Sequence, residues 1–313
     1  MSRYSLSKFW DHLKNFKDDV SIVFNYKRTG NHGDKLYIFR KVKNHLFFVL
    51  CLASVIIGVI PLLSILYEVV LRGAPQLSFQ FFTQGPGTFG VSAGGIAPAI
   101  QGTLILIGLT SLIGVPIGIL SGVYLAEYGN NRYADAMRTI NNVLAEFPSI
   151  VVGITVSVVV VSLIIGHFSV IAGAVALVVI LIPIVARTAE ESLKLVPNSV
   201  REASLALGVY KWRTTVSVIL PAAREGLVTG ALLAIARIAG ETAPLIMTIL
   251  GNSYFFQGLN QPMDALPLRI YRDSLQPSPS LQAEGWGAAL VLILIVLSIN
   301  IGVRVVSRRR FRR

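Results

Sequence analysis

Six long apolar blocks divide this chain, near residues 46–70, 96–126, 143–165, 169–186, 226–250 and 286–306. A helix needs about 20 mostly apolar residues to cross the hydrocarbon core of a bilayer. The blocks therefore predict an all-α membrane protein with six transmembrane helices. Composition agrees, since only 14% of residues are charged and 53% are hydrophobic, against roughly a quarter charged in soluble domains. The third and fourth blocks are separated only by Gly166, His167 and Phe168, which reads as a tight hairpin.

The basic residues orient these spans. With both termini on the cytoplasmic side, 24 of the 28 Lys and Arg fall inside and only Arg72, Arg269 and Arg272 fall outside. Basic residues concentrate in cytoplasmic loops of membrane proteins, so a multi-pass plasma (inner) membrane protein with both termini cytoplasmic is expected. The net charge of +12 then needs no nucleic acid to account for it.

Three segments follow. Residues 1–45 form a polar, basic cytoplasmic extension in which Leu6, Phe9, Trp10, Leu13 and Phe16 recur at helical spacing, the pattern of an amphipathic helix at a membrane surface or against a partner. Residues 29–35, TGNHGDK, read as a flexible connector. Residues 46–306 make the six-helix domain, and 307–313 a basic cytoplasmic tail. No early apolar core precedes a small-residue cleavage site, so no cleaved signal peptide is expected. The single cysteine, Cys51, reads as a packing residue, and four scattered histidines show no metal-ligand spacing. The outer loops at 84–95 and 251–285 read as connectors or as surfaces for a substrate-delivering partner.

Two features resist a purely structural reading. The first is Arg237, the twelfth residue of the fifth block, followed four positions later by Glu241. A charge near a bilayer midplane costs roughly 2.5–3.5 kcal/mol on insertion scales. Residues four apart share a helix face and can pair. Gly240 and Pro244 flank the pair; proline cannot donate to the carbonyl four residues earlier, so the helix is expected to open locally beside the charges. Thr242 adds a hydroxyl. A private ion pair joining helices remains the structural alternative.

The second is the internal loop 187–225, RTAEESLKLVPNSVREASLALGVYKWRTTVSVILPAARE. Pro197 breaks the preceding helix, and Ser199 with Glu202 has the S-x-x-E spacing of a capping box. Gly208 supplies a helix stop, and a second short segment is expected to end at Leu220–Pro221. The loop reads as a rigid elbow of two short helices, and its small residues Ala203, Ser204 and Ala206 permit close insertion into a cleft.

Glu202-Ala203-Ser204, then Gly208, then Val218-x-Leu220-Pro221 resembles the EAA loop of ATP-binding-cassette importer permeases, with Ser204 for the third alanine and Val218 for isoleucine. The resemblance extends over roughly residues 94–306, and Gly240–Leu245, GETAPL, is similar to the A-type subunit of the phosphate-importer permeases. It implies a type I importer permease fold, with Glu202, Ala203, Ser204 and Gly208 on a coupling helix that docks on an ATPase dimer. Its further implied partners are a C-type permease subunit, an extracytoplasmic phosphate-binding protein and membrane lipids. The chain has no GxxxxGK[ST] phosphate loop, so it is expected to catalyse nothing by itself, with ATP and Mg held by the partner. Arg237, Glu241 and Thr242 are then expected to line the substrate path. The alternatives are another oxyanion such as sulfate or molybdate, a secondary anion transporter using Arg237 and Glu241 as a relay, and a membrane scaffold.

Overall fold

The computed structural model describes residues 32–87 and 94–310. The amphipathic segment expected at 5–17 lies outside the described residues. In chain order the helices are α1 His32–Gly73, α2 Phe79–Thr83, α3 Ala97–Glu127, α4 Arg132–Glu146, α5 Ser149–Val156 with a π-helical continuation Ser157–Ile165, α6 Val170–Lys194, α7 Asn198–Ala206, α8 Lys211–Thr214, α9 Leu220–Ala239, α10 Ala243–Thr248, α11 Leu266–Ser274 and α12 Pro279–Arg310. Among the described residues, five helical runs are long and apolar enough to cross a membrane, six if the bent pair α4–α5 is counted as one span.

Several boundaries differ from the sequence expectation. α1 starts at His32, so the expected connector is helical from that residue. Nothing in the basic stretch before the apolar block breaks a helix, and no proline occurs in α1 before Pro61. Cys51 is exposed on α1 rather than packed. The third block bends by 102° between Glu146 and Ser149. Proline disfavours helical backbone in the residue before it, and Phe147 ahead of Pro148 is extended. The structural description divides the chain into two units at Tyr67 and Glu68, and the packing below belongs to the second.

α6 is the buried centre of that unit. Ser169 caps it, its side chain accepting from the Ala172 amide, after Gly166 closes the expected turn in the left-handed region at φ 88°. α3 lies against α6 through a row of glycines. A Cβ added to Gly114, Gly118 or Gly122 would come within 2.7, 2.7 and 2.5 Å of Leu181, Val185 and Ala189. Small residues are what let helices approach closely where lipid gives no hydrophobic drive between them. The core around this seam holds Leu106, Leu177, Leu181 and Val185, joined by Val152 and Val156 of α5 and by Ile238, Leu245 and Ile249.

A charge cluster closes one end of the unit. Arg269 of α11 is buried, with Asp273 at 2.6 Å and Glu284 of α12 at 2.9 Å. Glu284 also accepts from the Gly94 amide. Asp264 is fully buried, pairs with Arg272 at 2.8 Å and accepts from the Ala265 amide. Thr103 of α3 accepts from the Leu266 amide at 2.8 Å. The segment 251–285, expected from sequence to be a connector or a surface for a substrate-delivering partner, is tied to α3 and α12. Burial is the largest influence on both aspartates and outweighs the arginines, pushing Asp264 up and Asp273 up to about 6.

Asp273 holds its proton more tightly in the folded chain than its ordinary 3.8. Stability linked to it is therefore greatest at low pH and is lost as pH rises from 3.8 to about 6. Asp273→Asn should flatten that part of the profile while Asp264 still titrates. Thermal midpoints of purified parent and variant, measured across this range, check it.

Candidate functional site

The elbow expected at 187–225 forms at the opposite end of α3 from the charge cluster. α6 ends at Lys194, Pro197 occupies the cap position of α7, and no side chain caps the helix. The capping box is therefore not formed. The proline carbonyl already accepts from the Val200 amide at 3.1 Å, so the helix begins at Asn198 and Ser199 lies within it. Gly208 has φ 76° and reverses the chain, its amide donating to the Leu205 carbonyl at 2.9 Å. The second segment does not end at Pro221. An apolar helical run continues from Lys211 to Ala239, with a π-helical turn Thr215–Ile219 just before the proline. Widening of the helix there accommodates the N–H that proline lacks.

The four expected coupling residues divide between two faces. Glu202, Ala203 and Gly208 are exposed. Ser204 is buried, its hydroxyl 2.9 Å from that of Thr214, and so locks α7 to α8. Around the exposed face stand Leu207, Tyr210 and Trp212, at 83, 75 and 61% exposure. Sequence reasoning did not single them out. Their signal was three large apolar side chains within six residues of a basic, turn-rich loop. Large exposed apolar patches mark interaction surfaces, and aromatic residues are enriched at them.

A cavity of about 510 Å³ lies beside this elbow, its lining including Tyr124, Tyr128, Arg138, Lys194 and Lys211. Its cations are already engaged. Arg138 and Lys194 both hold Glu190, at 2.9 and 2.6 Å, and Lys211 donates to the Glu127 carbonyl.

Arg237 is in the last turn of α9 rather than mid-helix. α9 stops at Ala239, Gly240 takes the cap position, and Glu241 and Thr242 lie in the break before α10. The local opening expected from Gly240 and Pro244 is present. Arg237 Nε lies 3.7 Å from Glu241 Oε1, an ion pair too long for a hydrogen bond. The Arg237 side chain is 58% exposed and that of Glu241 17%. The carbonyl end of a helix favours a cation, which adds to the attraction of Glu241. The Thr242 hydroxyl stands 3.5 Å from the Gly240 carbonyl, and its main-chain carbonyl accepts from the Ile246 amide at 3.1 Å. α5 closes on the break from one side: a Cβ on Gly153 would meet Pro244 Cα at 2.6 Å. Along α9, Glu225, Thr229, Leu233 and Arg237 are exposed at four-residue spacing, a stripe too polar to face lipid tails.

This geometry can be set beside known proteins. The family model for binding-protein-dependent transport system inner membrane components matches residues 114–312. The phosphate transport system permease protein PstA of Yersinia pestis is 42% identical over 273 residues, covering 87% of this chain and 92% of that protein. PstA 1 of Mycobacterium tuberculosis is 37% identical, covering 88% of this chain and 92% of that protein. The probable PstA of Methanocaldococcus jannaschii is 38% identical, covering 85% and 94%. Among solved structures, the bacterial alginate ABC transporter in complex with an alginate pentasaccharide-bound periplasmic protein aligns with a TM-score of 0.62 at 18% identity, covering 87% of this chain and 97% of that one. The methionine transporter MetNI, in an inward-facing form, aligns at 0.55 and 21%, covering 69% and 94%. These two establish a shared fold. By the extent of the family match and of the close relatives, the chain belongs to the binding-protein-dependent transport system inner membrane components.

Proposed function

We propose that this chain is one of two permease subunits of an ATP-driven inorganic phosphate importer, forming half of the translocation path and coupling it to a separate ATPase. The observation that carries the substrate is the extent of likeness to phosphate permeases, 37 to 42% identity over 85 to 88% of the chain. The observation that supports coupling is the exposed face of α7 and its turn, with Glu202, Ala203, Gly208, Leu207, Tyr210 and Trp212 offered to a partner. In this reading ATP and Mg belong to the ATPase dimer, a C-type permease covers the polar stripe of α9, and an extracytoplasmic phosphate-binding protein delivers the anion. Ser204 supports α7 from within. The decisive experiment reconstitutes the complex and asks which oxyanion stimulates ATP hydrolysis; stimulation by sulfate or molybdate and not by phosphate would overturn the assignment.

In this reading α7 and both termini are cytoplasmic, which the basic-residue asymmetry supports. A cysteine at Asn198, in a Cys51→Ser background, should therefore be protected from impermeant thiol reagents added to sealed cells and become reactive on permeabilisation.

Gly208 has its left-handed backbone and open space where a Cβ would go. The cost of Gly208→Val is thus backbone alone, about 1–2 kcal/mol. It should loosen the elbow without unfolding the membrane helices. Complex assembly is expected to persist while uptake per ATP hydrolysed falls, and Gly208→Asn, which tolerates this backbone better, should fall less.

Arg237 offers a planar fork of donors suited to a tetrahedral oxyanion, and Glu241 holds it when the anion is absent. Moderate affinity is required, because an anion bound too tightly does not leave. Arg237→Gln should reduce phosphate uptake at least about tenfold, the scale of one charge-assisted hydrogen bond, with assembly intact. Arg237→Lys should recover only part. Uptake of radiolabelled phosphate in proteoliposomes measures both.

A further inference from the structure

Glu127 and Arg201 stand 74 residues apart in sequence and meet where α3 ends. Arg201 lies on α7 beside the exposed Glu202. Its Nε and Nη2 lie 3.1 and 3.0 Å from Glu127 Oε1. Nη2 also donates to the Leu193 carbonyl at 2.7 Å, and Nη1 to the Val196 carbonyl at 2.5 Å and to Asn198 Oδ1 at 3.3 Å. All three nitrogens of one guanidinium are engaged, joining α7 to the end of α6 and to the end of α3. The two side chains are 18 and 6% exposed.

The same residue is held from the other limb of the elbow. Lys211, on α8 beyond the Gly208 turn, donates to the Glu127 main-chain carbonyl at 2.5 Å and stands 4.5 Å from the Tyr128 ring centre. The elbow therefore grips one terminal residue by its side chain from α7 and by its backbone from α8. This matters because of connectivity. α7 joins α6 and α9 through the chain on either side of it, whereas it is linked to α3 across the sequence, by these polar contacts and by Val200, which packs on the same apolar cluster as Val123 and Ala126 of α3. α3 is 31 residues long, about 46 Å at 1.5 Å per residue. Near its far end Thr103 holds the Leu266 amide, and Gly102 leaves no room for a Cβ against the Asp264 carbonyl.

We propose that Glu127 and Arg201 are positioning residues that pass the movement of the coupling elbow to α3, which carries it to the charge cluster at the opposite end. This rests on the reading of α7 as the docking helix for an ATPase. A buried ion pair adds little net stability over a well-packed apolar pair, so stabilising the elbow is a poor account of why these two charges are there.

The test uses the complete complex of both permeases, ATPase and binding protein in liposomes, with phosphate uptake and ATP hydrolysis measured together. Stimulation of the parent complex by phosphate-loaded binding protein tests the functional reading by itself; its absence would overturn that reading. With the parent stimulated, Glu127→Gln and Arg201→Gln should each lower phosphate moved per ATP hydrolysed about tenfold, the scale of a lost charge-assisted hydrogen bond. The double variant should lose no more than the worse single one, because residues acting through one contact are not additive. A merely structural role lowers yield and both rates together and leaves the ratio unchanged. Asp135→Asn, on the exposed partner of Arg138, is the control and should keep the parental ratio. Where a glutamine variant fails to co-purify, Glu127→Asp or Arg201→Lys replaces it and should lower the ratio to an intermediate value. Parental ratios in the assembled variants, or a double loss equal to the product of the single losses, would overturn the proposal.

Discussion

The close approach of α3 to α6 is the contact on which the rest of the unit depends. Gly114, Gly118 and Gly122 leave room only for Leu181, Val185 and Ala189, and an added methyl group in such a seam forces strained side chains or backbone shifts. Because the seam runs along much of both helices, their ends are fixed relative to each other. That is why Glu127 arrives beside Leu193 and Arg201 at one end, and why Thr103 arrives beside Leu266 at the other. The described charges are placed accordingly. Those most fully buried, Arg269, Asp264, Asp273 and Glu284, are paired with one another or, for Asp264, with Arg272 near helix ends and loops, where side chains from several elements converge.

The bundle is regular along α3 and α6 and irregular where an importer needs shape. The bend at Pro148, the π-helical turn before Pro221 and the break after Ala239 all lie in elements that pack on α6 without being part of the glycine seam. Each has a local cause in a proline or glycine. Their arrangement has a tertiary one: α5 meets the α9–α10 break through Gly153, so the segment presenting Arg237 and Glu241 rests on a second broken helix. A closely packed two-helix frame is thus surrounded by interrupted helices. Exposed apolar groups on α7 and its turn, and the polar stripe of α9, are two surfaces that a lone chain in lipid or water would not retain.

Much of this was legible in residue order. Block length determined the helical class and located the long apolar helices, five or six of which span by length and hydropathy, because the hydrocarbon core imposes a length that hydropathy reports directly. Gly208 and the opening beside Pro244 were also legible, since left-handed backbone and a missing N–H are properties of single residues. The capping box expected at Ser199 does not form. A proline two residues earlier competed for the cap, and choosing between adjacent caps requires knowing which amide is already satisfied. Block hydropathy alone does not show that Arg237 closes the last turn of a helix, because the block runs on past Ala239; Gly240 and Pro244 are the residues that signal the break.

By itself, then, the sequence determined an all-helical membrane protein and its basic elbow, for these follow from length, periodicity and local backbone chemistry, while its family was legible only through the resemblance of the loop and GETAPL motifs to known permeases. Only the tertiary structure decided that Ser204 turns inward while Leu207, Tyr210 and Trp212 face out, that Arg269 and Glu284 close one end, and that Arg201 reaches Glu127 across 74 positions. The physical reason is common to all of these. Each depends on which helix faces pack together, and that is set by the fit of glycines against branched side chains between segments far apart in the chain.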